Sequence, residues 1–218
     1  MDTILNLGMN DAVASAIAKK TNNPRFAYDS YRRFLEMYGS VVLGISSYLF
    51  EEAFDNHKLR NNIVQDADLT TEILQQIIVD FKAIILKSTG KKFESDPAKQ
   101  LQCAIEAVLK SWTSARAITY RKIHNISDDI GTAVNVQSMV FGNKGDDSAT
   151  GVVFTRCPSS GRKEIFGEFL INAQGEDVVA GIRTPLPIVS TGNGRSMQEQ
   201  MPEMYNDLLL VCRQLEAY

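Results

Sequence analysis

Cysteine is scarce in these 218 residues: Cys103, Cys157 and Cys212 are widely spaced and no Cys-x-x-Cys pair occurs. Such thiols build neither a closed disulfide framework nor a zinc site, and they read as free thiols of a reducing compartment. Histidine is scarcer still. His57 and His124 each lack a second histidine or a cysteine at ligand spacing, and both read as partly exposed polar residues on helices. No Gly-x-Ser-x-Gly elbow supports a serine nucleophile. No apolar run approaches the roughly twenty residues of a membrane-spanning helix. Met1-Asp2-Thr3 lacks the basic-then-apolar pattern of a secretory leader, so a cytoplasmic location without a membrane partner is expected. An excess of basic charge is missing too. With 23 Lys and Arg against 26 Asp and Glu, and basic residues dispersed as in Arg32-Arg33 and Lys91-Lys92, no nucleic-acid partner is indicated.

What is present is ordinary globular composition, 44% hydrophobic and 22% charged, in a chain long enough to bury a real core. Glycine divides it. Four glycines fall in the first 130 residues and ten in the remaining 88, which predicts a mainly helical part over 1–130 and a β-rich part over 131–218. In the first part, Asn23-Pro24 reads as a cap followed by a proline at the first helical position, and Gly39 closes a helix over 24–38. Its Ala27, Tyr31, Phe34, Leu35 and Tyr38 form an apolar stripe, with Asp29 and Arg33 pairing on the other side. Ile73, Leu74, Ile77, Ile78, Phe81, Ile84 and Ile85 mark a second helix from about Thr70 to Lys87, ended by Gly90. Asp96-Pro97 opens a third, whose face Leu101, Ala104, Ile105, Val108, Leu109, Trp112 and Ala115 makes the lone tryptophan a core residue. Shorter helices cover 10–20 and 46–60.

The second part reads as an antiparallel meander with runs at Thr132 to Phe141, Gly151 to Arg156, Glu164 to Ile171 and Glu176 to Ile182, separated by Gly-, Asn- and Pro-containing turns. Thr184-Pro185-Leu186-Pro187 should break pairing, because proline cannot donate to a ladder. Met197 to Leu215 returns to helix, with Met201, Met204, Tyr205, Leu208, Leu209 and Cys212 on one face. The fold class is therefore α+β.

Three features could carry chemistry, each with a plainer alternative. Gly142-Asn143-Lys144-Gly145 could cradle a phosphate on consecutive N–H groups, although a hairpin loop fits the local pattern better. Glu168, Glu176 and Asp177 could hold magnesium, or be solvated edge carboxylates. Arg156 and Arg183 could clamp phosphate, or form surface ion pairs.

Longer strings go further. Asp2-Thr3-Ile4-Leu5-Asn6-Leu7-Gly8, Arg25 through Phe34, Gly131-Thr132-Ala133-Val134-Asn135-Val136-Gln137, Met139-Val140-Phe141-Gly142-Asn143 and Gly167 through Pro185 closely resemble the N-terminal nucleotide-binding region of pyruvate, phosphate dikinases, in order over essentially the whole chain. The resemblance implies an ATP-grasp-like piece and ATP and Mg2+ as ligands. It also implies a reaction in the complete enzyme that interconverts ATP, phosphate and pyruvate with AMP, pyrophosphate and phosphoenolpyruvate. It further implies that Val136-Gln137-Ser138-Met139-Val140 is an adenine-side strand, with backbone groups reading the base edge. Gln137, Ser138, Met139 and Val140 are then the expected nucleotide-binding residues. The family's N-terminal lysine, its Val-Arg-Ser-Gly-Ala arginine and its Asp-x-Glu-Phe and Leu-Gln-Thr-Arg strands do not occur here. No catalytic residue or metal ligand is therefore expected within the chain, and alone it should be inactive and marginally stable. Cys157 stands where the family's Phe-Thr-Arg-x-Pro string usually has asparagine, which puts the stability of that turn in doubt.

Two rival readings follow from the same strings. The chain could be a non-catalytic interaction module or one piece of a split enzyme, completed by the remaining dikinase polypeptide. It could instead belong to a phosphoenolpyruvate synthase-like phosphotransferase, although Asn172-Ala173-Gln174-Gly175-Glu176-Asp177 favours the dikinase.

Overall fold

Asparagine starts the first two helices in a computed structural model that describes residues 3–179, 181, 183–190, 192 and 194–217. Asn10 Oδ1 accepts from Val13 N at 2.8 Å to open α1 (Asp11–Thr21). Asn23 Oδ1 accepts from Phe26 N at 3.0 Å to open α2 (Pro24–Met37). The expected stop at Gly39 is not what glycine supplies there. The helix widens into a π turn over Tyr38–Val42, and Gly39 lets the Phe50 ring lie against its backbone, where a Cβ would collide with the ring. α3 (Ser47–Arg60) and α4 (Thr71–Thr89) follow, the latter capped by Thr70 and ended by Gly90 at φ +70°. The helix expected through Ala115 is two: α5 (Pro97–Ser111) and α6 (Ala115–Ile123). Hydroxyls break it. Ser111 Oγ donates back to Val108 O at 2.7 Å, Thr113 Oγ1 donates to Lys110 O at 2.9 Å, and Ser114 caps the next helix.

These elements form the first of two compact units, which extends to Met139. Its core is the α2 stripe against α4: Tyr31, Phe34, Leu35 and Tyr38 with Leu74, Ile77, Ile78, Phe81 and Ile85, all buried. Phe93 meets Tyr38 and Phe34 edge-on at 5.7 and 6.0 Å, and Phe50 meets Phe81 at 5.1 Å. Each such side chain contributes roughly 1.5–3 kcal/mol by leaving water. Trp112 is only half-buried, with the Arg121 guanidinium 3.9 Å from its ring centroid, so it stacks on a cation instead of filling the core.

The second unit starts at Val140. β1 (Ala149–Phe154) pairs antiparallel with β2 (Phe166–Ile171), from Ala149 opposite Ile171 to Phe154 opposite Phe166. The hairpin was legible. The segment Thr132 to Phe141 is not a strand: no described segment pairs with it, and Val136 and Val140 are exposed. Nor do the described residues of Glu176 to Ile182 form a strand. Gly175–Val179 is a short helix, α7, because Asp177 Oδ2 accepts from Gln174 N at 2.8 Å and closes a helical turn; Ala180 and Ile182 lie outside the described residues. Pro187, expected to prevent pairing, sits in β3 (Leu186–Pro187) opposite Glu168. An edge strand tolerates a missing donor, and Ile188 N supplies the neighbouring bond to Gly167 O at 3.0 Å. The C-terminal helix is interrupted at Met201 before Pro202, giving α8 (Met197–Gln200) and α9 (Pro202–Ala217). Met197, Met201, Tyr205 and Leu208 cover the sheet face of Val153, Phe169 and Leu186, while Val152, Phe154 and Phe166 on the opposite face are exposed.

Candidate nucleotide-binding site

The residues from Gln137 to Val140 lie in irregular backbone. Gln137 and Ser138 are exposed, Met139 is half-buried and Val140 is 92% exposed. Gln137 Oε1 accepts from Asn135 Nδ2 at 3.1 Å, and Met139 Sδ accepts from Asn6 N at 3.4 Å. Gln137, Ser138 and Met139 belong to the first unit and Val140 begins the second.

In the second unit the Gly142–Gly145 loop is a packed corner. Gly142 O accepts from Ala173 N at 2.9 Å, and a Cβ on Gly142 would run into Thr150 Oγ1 and the carbonyls of Ala149 and Ala173. Asn143 is buried, with Oδ1 accepting from Gln174 Nε2 at 3.2 Å and Nδ2 without a partner among the described residues. Thr150 Oγ1 donates to Ala173 O at 2.6 Å. These bonds bind the loop base to residues 172–177, so its glycine serves close packing; the loop is not a hairpin turn, because the segment before it is not a strand.

The three carboxylates do not converge. Glu168 is exposed on β2, Asp177 is buried and occupied by the Gln174 amide, and no group of three His, Cys, Asp or Glu side chains among the described residues could hold a metal. The arginines are also committed. Arg156 Nη2 meets Glu216 Oε2 at 2.6 Å, and Arg183 donates to the carbonyls of Ile171 and Asn172 at 3.1 and 3.3 Å.

A family model described as "Pyruvate phosphate dikinase, AMP/ATP-binding domain" matches residues 1–207. The chain belongs to this family. Curated relatives include pyruvate, phosphate dikinase of Rickettsia typhi, 57% identical over the whole chain and covering 24% of that protein. The chloroplastic pyruvate, phosphate dikinase 1 of Oryza sativa subsp. japonica is 52% identical over the whole chain and 22% of its own length. The enzyme of Clostridium symbiosum is 50% identical over the whole chain and 24% of its length. The chain therefore spans about a quarter of the relatives it matches. No helix among the described residues is long and apolar enough to cross a membrane.

In this member of the dikinase nucleotide-binding family, several buried polar residues escaped the sequence reading. Asp29 faces inward: its carboxylate takes Arg32 Nη2 at 2.7 Å and Arg33 Nε at 3.1 Å, all three residues being buried. Burial pushes the Asp29 carboxyl up, but Arg32 and Arg33 beside it, with Arg25 farther off, outweigh that and hold it well below the ordinary carboxylate range. Asp29 and Arg33 do pair, but in the interior; arginines three and four residues on were the available signal. His57 is buried and not part-exposed, with Nε2 2.8 Å from Asp80 Oδ2, whereas His124 is exposed and lies against Tyr120. Gln100, fully buried at the start of α5, gave no sequence signal.

Proposed function

We propose that this chain is the part of a pyruvate, phosphate dikinase that receives ATP in an ATP-grasp fold, with Gln137, Ser138, Met139 and Val140 on the adenine side. The family match over residues 1–207 carries the reading. Exposed Gln137 and Ser138 beside the thioether of Met139 supply what a purine needs: polar groups at its edge and a polarizable apolar contact on its face. The complete polypeptide would interconvert ATP, phosphate and pyruvate with AMP, pyrophosphate and phosphoenolpyruvate. Three cysteines without a disulfide are compatible with cytosolic residence.

Phosphoryl transfer depends on positioning and on neutralising developing charge. No three described His, Cys, Asp or Glu side chains cluster to hold a metal, and Arg156 and Arg183 are already engaged. The remaining polypeptide would therefore supply magnesium and the phosphate-directed cations. Labelled ATP incubated with the chain, pyruvate and phosphate should yield no AMP, while titration with ATP should shift backbone NMR signals of residues 137–140. Release of AMP by the chain unaided would overturn its incompleteness. Nucleotide-induced shifts confined to residues away from 137–140 would overturn the assignment of the adenine side.

A further inference from the structure

The turn from Asn6 to Met9 contains two left-handed residues, Asn6 at φ 57° and Gly8 at φ 97°, and no regular helix or strand holds it. Its own closing bond, Met9 N to Asn6 O, is long at 3.3 Å. Support comes from Gln100. Gln100 Oε1 accepts from Gly8 N at 3.1 Å, while Nε2 donates to Met9 O at 3.1 Å and to Glu94 O at 2.7 Å. Both amide hydrogens and the oxygen are thus used, in a side chain with no exposed surface. Asn10 Nδ2 adds a bond to Ser95 O at 2.9 Å, so residues 94–100 underpin the turn along its length.

On the other side of the same turn, Asn6 N donates to Met139 Sδ. Thioether sulfur is a weak acceptor, so this bond places Met139 only as well as the turn presents the amide. We propose that Gln100 is a positioning residue for the adenine-nucleotide site: by fixing the Asn6–Met9 turn, it sets where Met139 lies. The inference rests on Met139 being an adenine contact. All the residues involved belong to the first unit.

The test uses the 218-residue chain with its methionine methyls labelled by 13C, comparing Gln100→Met, which keeps length but loses both donated bonds and leaves only a weak acceptor, with Gln100→Glu, which keeps the acceptor for Gly8 N. In nucleotide-free protein, Gln100→Met should move the Met139 methyl signal while leaving the far-ultraviolet dichroism unchanged, and Gln100→Glu should move it less. In an ATP titration, Gln100→Met should weaken binding about tenfold. In a Met139→Leu background the same change should add less than twofold, a non-additivity that general loosening of the fold would not produce. An unmoved Met139 methyl, or effects of Gln100→Met and Met139→Leu that simply multiply, would overturn the inference. So would loss of the fold in both Gln100 variants, because Gln100 would then be a folding residue. If the unaltered chain shows no ATP-induced shifts, the functional reading fails, and the methyl signal of the free protein still decides whether Gln100 positions Met139.

Discussion

The two units neutralise charge by different means. The first buries ions against ions: Asp29 between Arg32 and Arg33, with the Arg32 guanidinium 4.5 Å from the Phe54 ring centroid. The second relies mostly on neutral donors. Asp177 accepts from the Gln174 amide, Glu199 from Ser196 and Ser190, and Arg183 gives its protons to carbonyl oxygens. Their cores differ in the same sense. The first is a multi-helix interior rich in interlocked aromatics, whereas the second is one sheet covered along one face and, on the other, only where Leu170 meets Ala173 and Val178. A thick core can exclude water from an ion pair and so makes each charge depend on its partner; in a thin layer Glu199 and Arg183 lie near water, where hydroxyls and carbonyls suffice, and only Asp177 is buried against an amide. Removing one member should therefore be costly in the first unit and mild in the second.

The largest effect is expected for Asp29→Asn, which removes the buried carboxylate that Arg32 and Arg33 share and leaves Arg32 facing the half-buried Glu36 at 3.2 Å. Truncating one partner of a buried pair costs about 3–5 kcal/mol, so urea denaturation should show a marked loss of stability at pH 7. The pH dependence has a definite sign. The folded Asp29 pKa lies below its unfolded value, so its contribution is present above the unfolded pKa near 4 and is lost as pH falls through the folded pKa. The variant should close the gap to the unaltered protein as the solution is acidified below about pH 4. A loss under about 1 kcal/mol at pH 7, the range of an exposed ion pair, would erase the contrast between the units.

A smaller effect is expected for Ser196→Ala at the start of α8. Ser196 is fully buried; its Oγ accepts from Glu199 N at 3.3 Å and donates to Glu199 Oε2 at 2.7 Å, while its N donates to the same carboxylate at 3.0 Å. The loss should be about 1 kcal/mol, the usual value of an N-cap. The Ser196 side chain and amide, with Ser190, hold the Glu199 carboxyl down at about 2. Its contribution should therefore be present above the ordinary glutamate range and fade as pH falls towards about 2, less steeply in the variant. A loss as large as that for Asp29→Asn would mean that the second unit, too, leans on irreplaceable partners.

Sequence patterns reported the first unit well because a helix announces its own buried face: the stripes on α2 and α4 are the observed core, and Asn23, Thr70 and Gly90 are the observed caps and stop. They failed where the outcome depends on a partner distant in sequence. Alternation over 132–141 describes a segment able to pair, but no described segment pairs with it. A local polar bond also escapes apolar spacing: residues 175–179 are helical because the Asp177 carboxylate accepts from Gln174 N, three residues back. Pro187 pairs because β3 is an edge strand, and edge or centre is a property of the sheet and not of the local sequence. Glycine in a sequence signals conformational freedom, whereas the use of Gly39 is the space it leaves for Phe50. For the site, the strings at 131–143 and 167–185 pointed to the family, but a clasp such as Gln100 has no periodicity and no spacing rule. Its three partners lie six to ninety-two residues away.

The finest test of the contrast is Cys157, where neutral donors act on a thiol. Hydrogen bonds from the Ser159 and Ser160 hydroxyls, and from their backbone amides, lower its pKa to about 7. The Cys157 sulfur lies 3.2 Å from Ser159 Oγ. The turn that asparagine's absence put in doubt is closed by the backbone, with Cys157 N donating to Arg162 O at 3.0 Å and Gly161 N to Cys157 O at 2.8 Å. At pH 7 about half of Cys157 should be thiolate, against roughly 3% of an ordinary thiol with pKa about 8.5, a gain of about sixteenfold in the reactive form. Nucleophilicity falls as pKa falls, and with a Brønsted slope of about 0.45 the loss is about fivefold, leaving a net gain of about threefold. Rate at one pH is thus a weak discriminator, and the midpoint of the alkylation profile is the sharper one. It should lie near pH 7 for Cys157 and well above that for Cys212, whose burial pushes its thiol up. Ser159→Ala should return the Cys157 midpoint towards the ordinary thiol value without changing the urea midpoint. If Ser159→Ala leaves the profile unchanged, neutral donors are not what holds the thiolate, and the second unit's means of stabilising charge must be sought elsewhere.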